Sequence, residues 1–130
     1  MTINENPRLS DLILFQEGEE ANYIVDLVTV ASGTVASAVG QILGKITASG
    51  KYAQVAPAAG DGSQVAAAVL IQPFTATLGA DTTFLAITRG PVIFKANGLA
   101  YTSGMTGGQK TTAQQQLQAA GMPVRTDYGV

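Results

Sequence analysis

The chain has 130 residues and a formal net charge of −2, and it contains neither cysteine nor histidine. Disulfides and thiolate metal sites are therefore excluded, and so is the side chain that most often serves as a general base or metal ligand. The length suits one domain, and no apolar run reaches the roughly 18 residues that predict a transmembrane helix. An alanine- and glycine-rich composition predicts a thin core, which gains stability when surface is buried against a partner.

The charges are unevenly distributed along the chain. Residues 1–26 carry six acids and one base, giving −5, whereas residues 27–130 carry three acids and six bases, giving +3. This asymmetry predicts either a solvated acidic tail or an arm that docks on a basic surface. The dispersed lysines argue against nucleic acid as the partner, because its binding requires a clustered basic patch.

A short apolar run follows the polar start of the chain. The segment Leu9–Phe15 places five large apolar side chains in seven positions, and the acidic segment Gln16–Glu20 follows it. The run is too short to be stable as an isolated helix. Two interpretations remain open: a first strand or helical turn docked on its own domain, or a segment that orders on a neighbouring subunit or another protein. We expect residues 1–22 to form an arm, flexible or ordered by a partner, and residues 23–130 to form one β-rich domain.

The first part of this domain predicts strands. β-Branched residues predict a strand over Tyr23–Val30. Another strand is predicted over Gln41–Ala48, with a bulge or close approach at Gly44. Ser49-Gly50 is a hairpin signal, so Lys51–Ala56 is expected to return as the partner strand.

Three further strands are predicted beyond this hairpin, the last of them a short strand over Val92–Phe94. Val65–Ile71 has no polar residue, which predicts a central strand buried on both faces. Thr82–Arg89 alternates, so Phe84 and Ala86 should face one side and Leu85 and Ile87 the other.

A helix is predicted near the end of the chain, over about residues 107–120. Thr106 and Gln109 have the spacing of a capping box, and Gly121 is placed to end the helix. Its apolar stripe is thin, consisting of Ala113, Leu117 and Ala120, which predicts a helix lying on a surface.

Fragments of known motifs do not have the spacing that their chemistry requires. The segment Gly40–Thr47 lacks the glycine spacing and the hydroxyl residue after lysine that a phosphate loop needs. The turn at Asp61 offers one carboxylate, whereas calcium takes six to eight oxygen ligands. Asp61 and Asp81 have no spacing that predicts a catalytic carboxylate pair, and Arg89 is interpreted as an ion-pair or interface residue.

Several stretches that together cover most of the chain occur in a particular order. They are NPRLSD (6–11), VTVASG (28–33), LGKITASGKY (43–52), PAAGDGS (57–63), VAAAVL (65–70), RGPV (89–92) and residues 106–124. Their order and spacing resemble the phage head decoration proteins, the family that includes the lambda decoration protein D. One departure is the segment Tyr101–Gly104, where related members often place Trp-Pro before the helix.

The resemblance implies a mainly β, β-clip-like compact domain with one C-terminal surface helix and an extended N-terminal arm. It implies no enzymatic activity and no cofactor. It implies a homotrimer that lies on the outer surface of the virion and cements the major capsid protein of the expanded shell. The protein is expected to be made in the host bacterial cytoplasm. No nucleic acid, membrane or small molecule is expected as a partner. The arm residues implied to bind the capsid are Pro7, Arg8, Leu9, Leu12, Ile13, Leu14 and Phe15.

Two other functions remain open from the sequence. One is another phage structural module, such as a tail or head-completion protein. The other is a small β-barrel enzyme or binding module that uses Asp61, Asp81 and Arg89, since carboxylates can serve in acid–base chemistry without histidine.

Overall fold

The computed structural model describes residues 25–89, 92–95 and 98–125, together with the backbone of residues 13–16. This part of the chain forms eight strands and one helix. They are β1 (Ile13–Gln16), β2 (Val25–Val30), β3 (Ile42–Lys45), β4 (Tyr52–Gln54), β5 (Ala66–Leu70), β6 (Thr82–Ile87), β7 (Val92–Lys95), α1 (Gly107–Ala119) and β8 (Val124–Arg125).

Five of the strands close into a barrel, in the order β2-β4-β3-β5-β6. Strands β2 and β6 pair antiparallel over their whole length, from Val25 opposite Ile87 to Val30 opposite Thr82. On its other edge, β2 pairs with β4 in parallel through a single residue pair, Val30 with Tyr52. The barrel is therefore firmly closed on one side of β2 and only narrowly closed on the other.

Alternation along the barrel strands separates the core into two hydrophobic clusters. The inner cluster fills the barrel, and neighbouring residues on the same strands point outward into the outer cluster. The inner cluster contains Val28, Val30, Leu43, Ala68, Leu70, Phe84 and Ala86. The outer cluster contains Ile42, Val55, Ala66, Val69, Ile87, Val92, Phe94, Leu99, Ala113, Leu117 and Met122.

A small sheet and the helix cover part of the barrel. The sheet has the order β1-β7-β8, with β1 antiparallel and β8 parallel to β7. Helix α1 contributes two buried side chains, Ala113 and Leu117, so it lies on the surface as its thin apolar stripe predicts. Ala120, the third member of that stripe, is the exposed C-cap residue.

Most local features predicted from the sequence are confirmed. Strands β3 and β4 form an antiparallel hairpin, and the pairing of β3 with β5 shifts register between Leu43 and Gly44. Strand β5 lies between β3 and β6 as predicted, but its burial is less complete than predicted, because Val65 lies outside the strand and is 45% exposed and Ala67 is half-buried. The capping box of Thr106 and Gln109 is present at the start of α1. The predicted mainly β fold with one helix near the C-terminus is therefore confirmed.

Candidate partner-binding surfaces

The polar residues singled out in the sequence have partners within the domain. The Asp61 carboxylate accepts hydrogen bonds from the Ser63 hydroxyl (2.6 Å) and the Ser63 backbone N–H (3.0 Å). These bonds lower the pKa of Asp61, with the hydroxyl having the larger effect. Asp61 therefore fixes its own turn, and this turn lies against the end of β3, where the Thr47 N–H donates to the Asp61 carbonyl (2.8 Å).

Asp81 connects two loops of the barrel. One carboxylate oxygen lies 2.5 Å from the Lys51 ammonium, and the other accepts a hydrogen bond from the Ser32 backbone N–H (2.9 Å). The bond from Lys51 is the main cause of a lowered Asp81 pKa, and the bond from Ser32 adds to it. Asp61 and Asp81 thus engage different partners and do not form a hydrogen-bonded carboxylate pair.

Arg89 belongs to a polar group at the mouth of the barrel. Its guanidinium lies 2.6 Å from an Asp26 carboxylate oxygen, which also accepts a hydrogen bond from the Thr88 hydroxyl (2.8 Å). Asp26 shares its face of β2 with Val28 and Val30, so it lies at the rim of the barrel rather than on the outer wall. This arrangement agrees with the interpretation of Arg89 as an ion-pair residue.

The predicted arm is described only in part. Pro7, Arg8, Leu9 and Leu12 lie outside the described residues. The backbone of Ile13, Leu14 and Phe15 belongs to β1, which pairs with β7 of the same chain. Ile13 lies opposite Phe94 and Gln16 opposite Val92, with a register irregularity between Ile13 and Phe15.

An apolar pair lies exposed on the outer wall of the barrel. Leu27 of β2 and Leu85 of β6 are cross-strand partners, and the two residues are 69% and 39% exposed. The sequence did not single out this pair because Leu27 and Val28 are both apolar, and hydrophobicity cannot tell which of them faces inward. In the structure, Val28 is buried and Leu27 faces outward.

An open cavity of about 470 Å³ lies between β2 and the β3–β4 hairpin. Lys45 and Tyr52 lie on its hairpin side, and Asp26, Leu27 and Arg89 lie on or beside β2. The Lys45 ammonium is 5.9 Å from the centre of the Tyr52 ring, a cation–π distance. Partial burial is the main cause of a raised Tyr52 pKa, and the nearby charge of Asp26 raises it further.

The described residues contain neither a cluster of metal ligands nor a membrane-spanning helix. Within residues 25–89, 92–95 and 98–125, no three acidic, histidine or cysteine side chains are grouped so that they could hold a metal ion. The single helix among these residues is neither long nor apolar enough to cross a membrane.

The described residues form a mainly β domain whose surface combines ion-paired polar side chains with an exposed apolar pair on the barrel wall. Comparison with known protein families shows to which family this domain belongs. The chain belongs to the bacteriophage lambda head decoration protein D family, whose model matches residues 2–122. The family consists of structural proteins of the phage head. No curated protein matches the chain.

Proposed function

We propose that this protein binds the outside of the expanded phage capsid as a homotrimer and cements neighbouring copies of the major capsid protein. The family match over residues 2–122 carries the proposal. The proposed role is structural and requires no catalysis and no cofactor. The protein would be made in the host bacterial cytoplasm and would end on the outer surface of the virion.

The proposed stabilisation follows from mass action. A protein that binds the expanded shell, and binds other forms of the shell less well, stabilises the expanded form by its binding free energy. Three copies held together raise the effective concentration of each remaining contact once the first has formed. Weak individual contacts are therefore sufficient for firm binding of the trimer.

The arm is the proposed capsid contact. Strand β1 is an edge strand of its sheet, because the strand order is β1-β7-β8. An exposed strand edge can accept a strand from another protein through backbone hydrogen bonds. This geometry supports strand addition at the arm. The residues proposed to contact the capsid are Pro7, Arg8, Leu9, Leu12, Ile13, Leu14 and Phe15.

The exposed pair Leu27 and Leu85 supports the proposed trimer. The pair adjoins half-buried Val25 and Ile71, which pack against the outer cluster. Helix α1 and the small sheet already cover part of the outer cluster. Another subunit placed over Leu27 and Leu85 would cover apolar surface next to it. Complete burial of a fully exposed leucine side chain contributes about 1.5–3 kcal/mol, and a subunit contact would gain only part of this for each residue because Leu27 and Leu85 are already partly covered.

Co-sedimentation with expanded capsid shells tests the proposed capsid contact. A Leu9→Asp, Leu12→Asp double variant should fold normally and lose binding, because two apolar anchors of the arm become charged. Ser10→Asp is the matched control, since it adds a charge within the same segment without removing an apolar side chain. Undiminished binding of the double variant would rule out the arm as the contact, and no binding by the unaltered protein would rule out the proposed function.

A further inference from the structure

Strand β2 has an open edge beside the cavity, where its backbone groups are not paired with β4. The Ala31 N–H donates to the Tyr52 carbonyl (2.8 Å), so odd-numbered residues at this end of β2 direct their backbone groups towards β4. Because successive residues of a strand use opposite edges, Leu27 has its N–H and C=O on the same edge. Among the described residues, the only β4 pairing of β2 is at Val30. The backbone N–H and C=O of Leu27 therefore point towards the cavity instead of towards a strand.

The contacts of Leu85 support this assignment independently. The Leu85 N–H donates to the Gln72 side-chain oxygen (2.9 Å), and its carbonyl accepts from the Ile71 N–H (3.1 Å). Both groups point away from β2, so Leu27 and Leu85 form a pair without hydrogen bonds between them. Within the described part of the chain, no strand pairs with Leu27 on its open edge.

The rim of the cavity carries a positive charge that fits an acidic partner. Lys51 and Arg89 each form an ion pair with an aspartate. The exposed Lys45 instead lies over the Tyr52 ring and has no carboxylate partner among the described residues. An open strand edge next to such a cation favours an extended segment with a carboxylate at the matching position.

We propose that the open edge of β2 receives the acidic segment Glu17–Glu20 from a second copy of this chain, added as a strand with one carboxylate facing Lys45. In the sequence EGEE, Glu17 and Glu19 would lie on the same side of an extended strand, about 7 Å apart. The other six acids of the chain are isolated from one another in the sequence, namely Glu5, Asp11, Asp26, Asp61, Asp81 and Asp127. Residues 17–20 are therefore the acidic run that this chain offers to its own copies.

Sedimentation equilibrium of the full chain over a range of concentrations tests this contact. Lys45→Glu should raise the dissociation constant for self-association at least tenfold, because it places an acid opposite an acid. Lys110→Glu is the matched control, since Lys110 also lies over a tyrosine ring, 5.3 Å from the centre of Tyr101. This control should leave the dissociation constant within about twofold of the original, a difference of roughly 0.4 kcal/mol.

A charge exchange makes the test specific for the proposed partner. Reversing Glu17, Glu19 and Glu20 to lysine should weaken association, and combining this change with Lys45→Glu should restore most of it. If dilution does not dissociate the protein, subunit exchange between two labelled populations gives the same comparison, and Lys45→Glu should exchange at least tenfold faster.

Three results would overturn the proposal. One is equal behaviour of Lys45→Glu and Lys110→Glu, and another is a monomer at every concentration. The third is a change in the melting temperature of a monomeric protein on charge exchange. That result would mean that the acidic segment contacts Lys45 of its own chain. Co-sedimentation with shells is measured separately, so a failure of capsid binding would remove the proposed function and leave this contact standing.

Discussion

Gly44 shows how one residue of the sequence determines a contact far along the chain. A Cβ atom at this position would overlap the backbone carbonyl of Ser63, whose oxygen accepts a hydrogen bond from the Ala56 N–H (2.9 Å). The bulge at Gly44 could be predicted because a glycine within a strand pattern indicates a bulge or close approach. The identity of Ser63 as the neighbour could not, because it depends on how the loop folds back.

Replacing Gly44 with alanine should destabilise the domain. The added methyl group meets backbone that is held by hydrogen bonds and cannot move aside cheaply, so we expect a loss of about 2–3 kcal/mol. Gly60→Ala is the matched control, because a Cβ atom there meets nothing within 4 Å. Urea unfolding monitored by circular dichroism measures both variants, and equal midpoints would contradict the close approach.

The lowered pKa of Asp81 predicts how stability depends on pH. Lys51 is the main cause of the lowering, so the folded state binds the Asp81 proton less readily than the unfolded state. This contribution to stability is present above the unfolded pKa, near 3.9, and is lost as pH falls through the lower folded pKa. Asp81→Asn should therefore reduce stability at pH 7 and weaken its decline in acid.

Thermal unfolding between about pH 7 and pH 2 measures this dependence. Lys51→Met should bring the Asp81 pKa closer to its ordinary value and also weaken the decline. Lys110→Met, which removes a lysine that interacts with Tyr101 rather than with an aspartate, should leave the decline unchanged. Parallel pH curves for the protein and the Asp81→Asn variant would show that the ion pair does not contribute.

At the scale of elements, the helix was predictable in position but not in its attachment. Thr106, Gln109 and Gly121 act locally, and their spacing is visible in the sequence. Besides the packing of Ala113 and Leu117, a hydrogen bond attaches α1 to the barrel: the Gln116 side-chain oxygen accepts from the Ala66 N–H at the start of β5 (2.8 Å). Five glutamines occur in the helix, and the sequence does not distinguish the one that reaches the strand.

Gln116→Ala should separate this attachment from general helix stability. The variant removes the acceptor of the Ala66 N–H, and the expected cost is about 1 kcal/mol. Gln115→Ala makes the same change at an exposed position and should be neutral or slightly stabilising, since alanine favours helices. Denaturant unfolding compares the two variants, and an equal effect at both positions would contradict a specific role for Gln116.

For the strands too, pairings between neighbouring segments could be predicted, whereas pairings between distant segments could not. Turn residues predicted the β3–β4 hairpin, because its partners are adjacent in the chain. The parallel contact of β2 with β4, which closes the barrel, brings Val30 against Tyr52 and has no turn signal. The open edge of β2 begins where this pairing stops, so the sequence could not predict that part of the candidate site.

At the scale of the whole molecule, the proposed trimer predicts a specific effect at Leu27. Leu27→Lys should lower the solution mass from that of three 13.3 kDa chains towards that of one, because a charge would enter a subunit contact. Val35→Lys is the control, since Val35 is an exposed apolar residue (52%) outside the Leu27–Leu85 pair. Light scattering after size-exclusion chromatography measures the mass, and an unchanged mass for Leu27→Lys would place the subunit contact elsewhere.

Two truncations should differ in stability. Removing residues 1–12 keeps β1, so the melting temperature should be nearly unchanged. Removing residues 1–22 takes β1 away from β7 and leaves a new strand edge, so the melting temperature should fall and association through β7 should increase. Differential scanning calorimetry at several concentrations compares them, and identical melting would contradict the contribution of β1.

The arrangement of the two sheets also has a consequence for the order of folding during synthesis. All five barrel strands lie between residues 25 and 87, so their pairings can form while later residues are still being added. The sheet β1-β7-β8 instead joins both ends of the described chain, because Phe94 pairs with Ile13 on one side and Val124 on the other. Such distant contacts form slowly. The growing chain can close its barrel early, whereas β1 pairs only after β7 has been made, and the sheet is completed only after Val124 and Arg125 have left the ribosome.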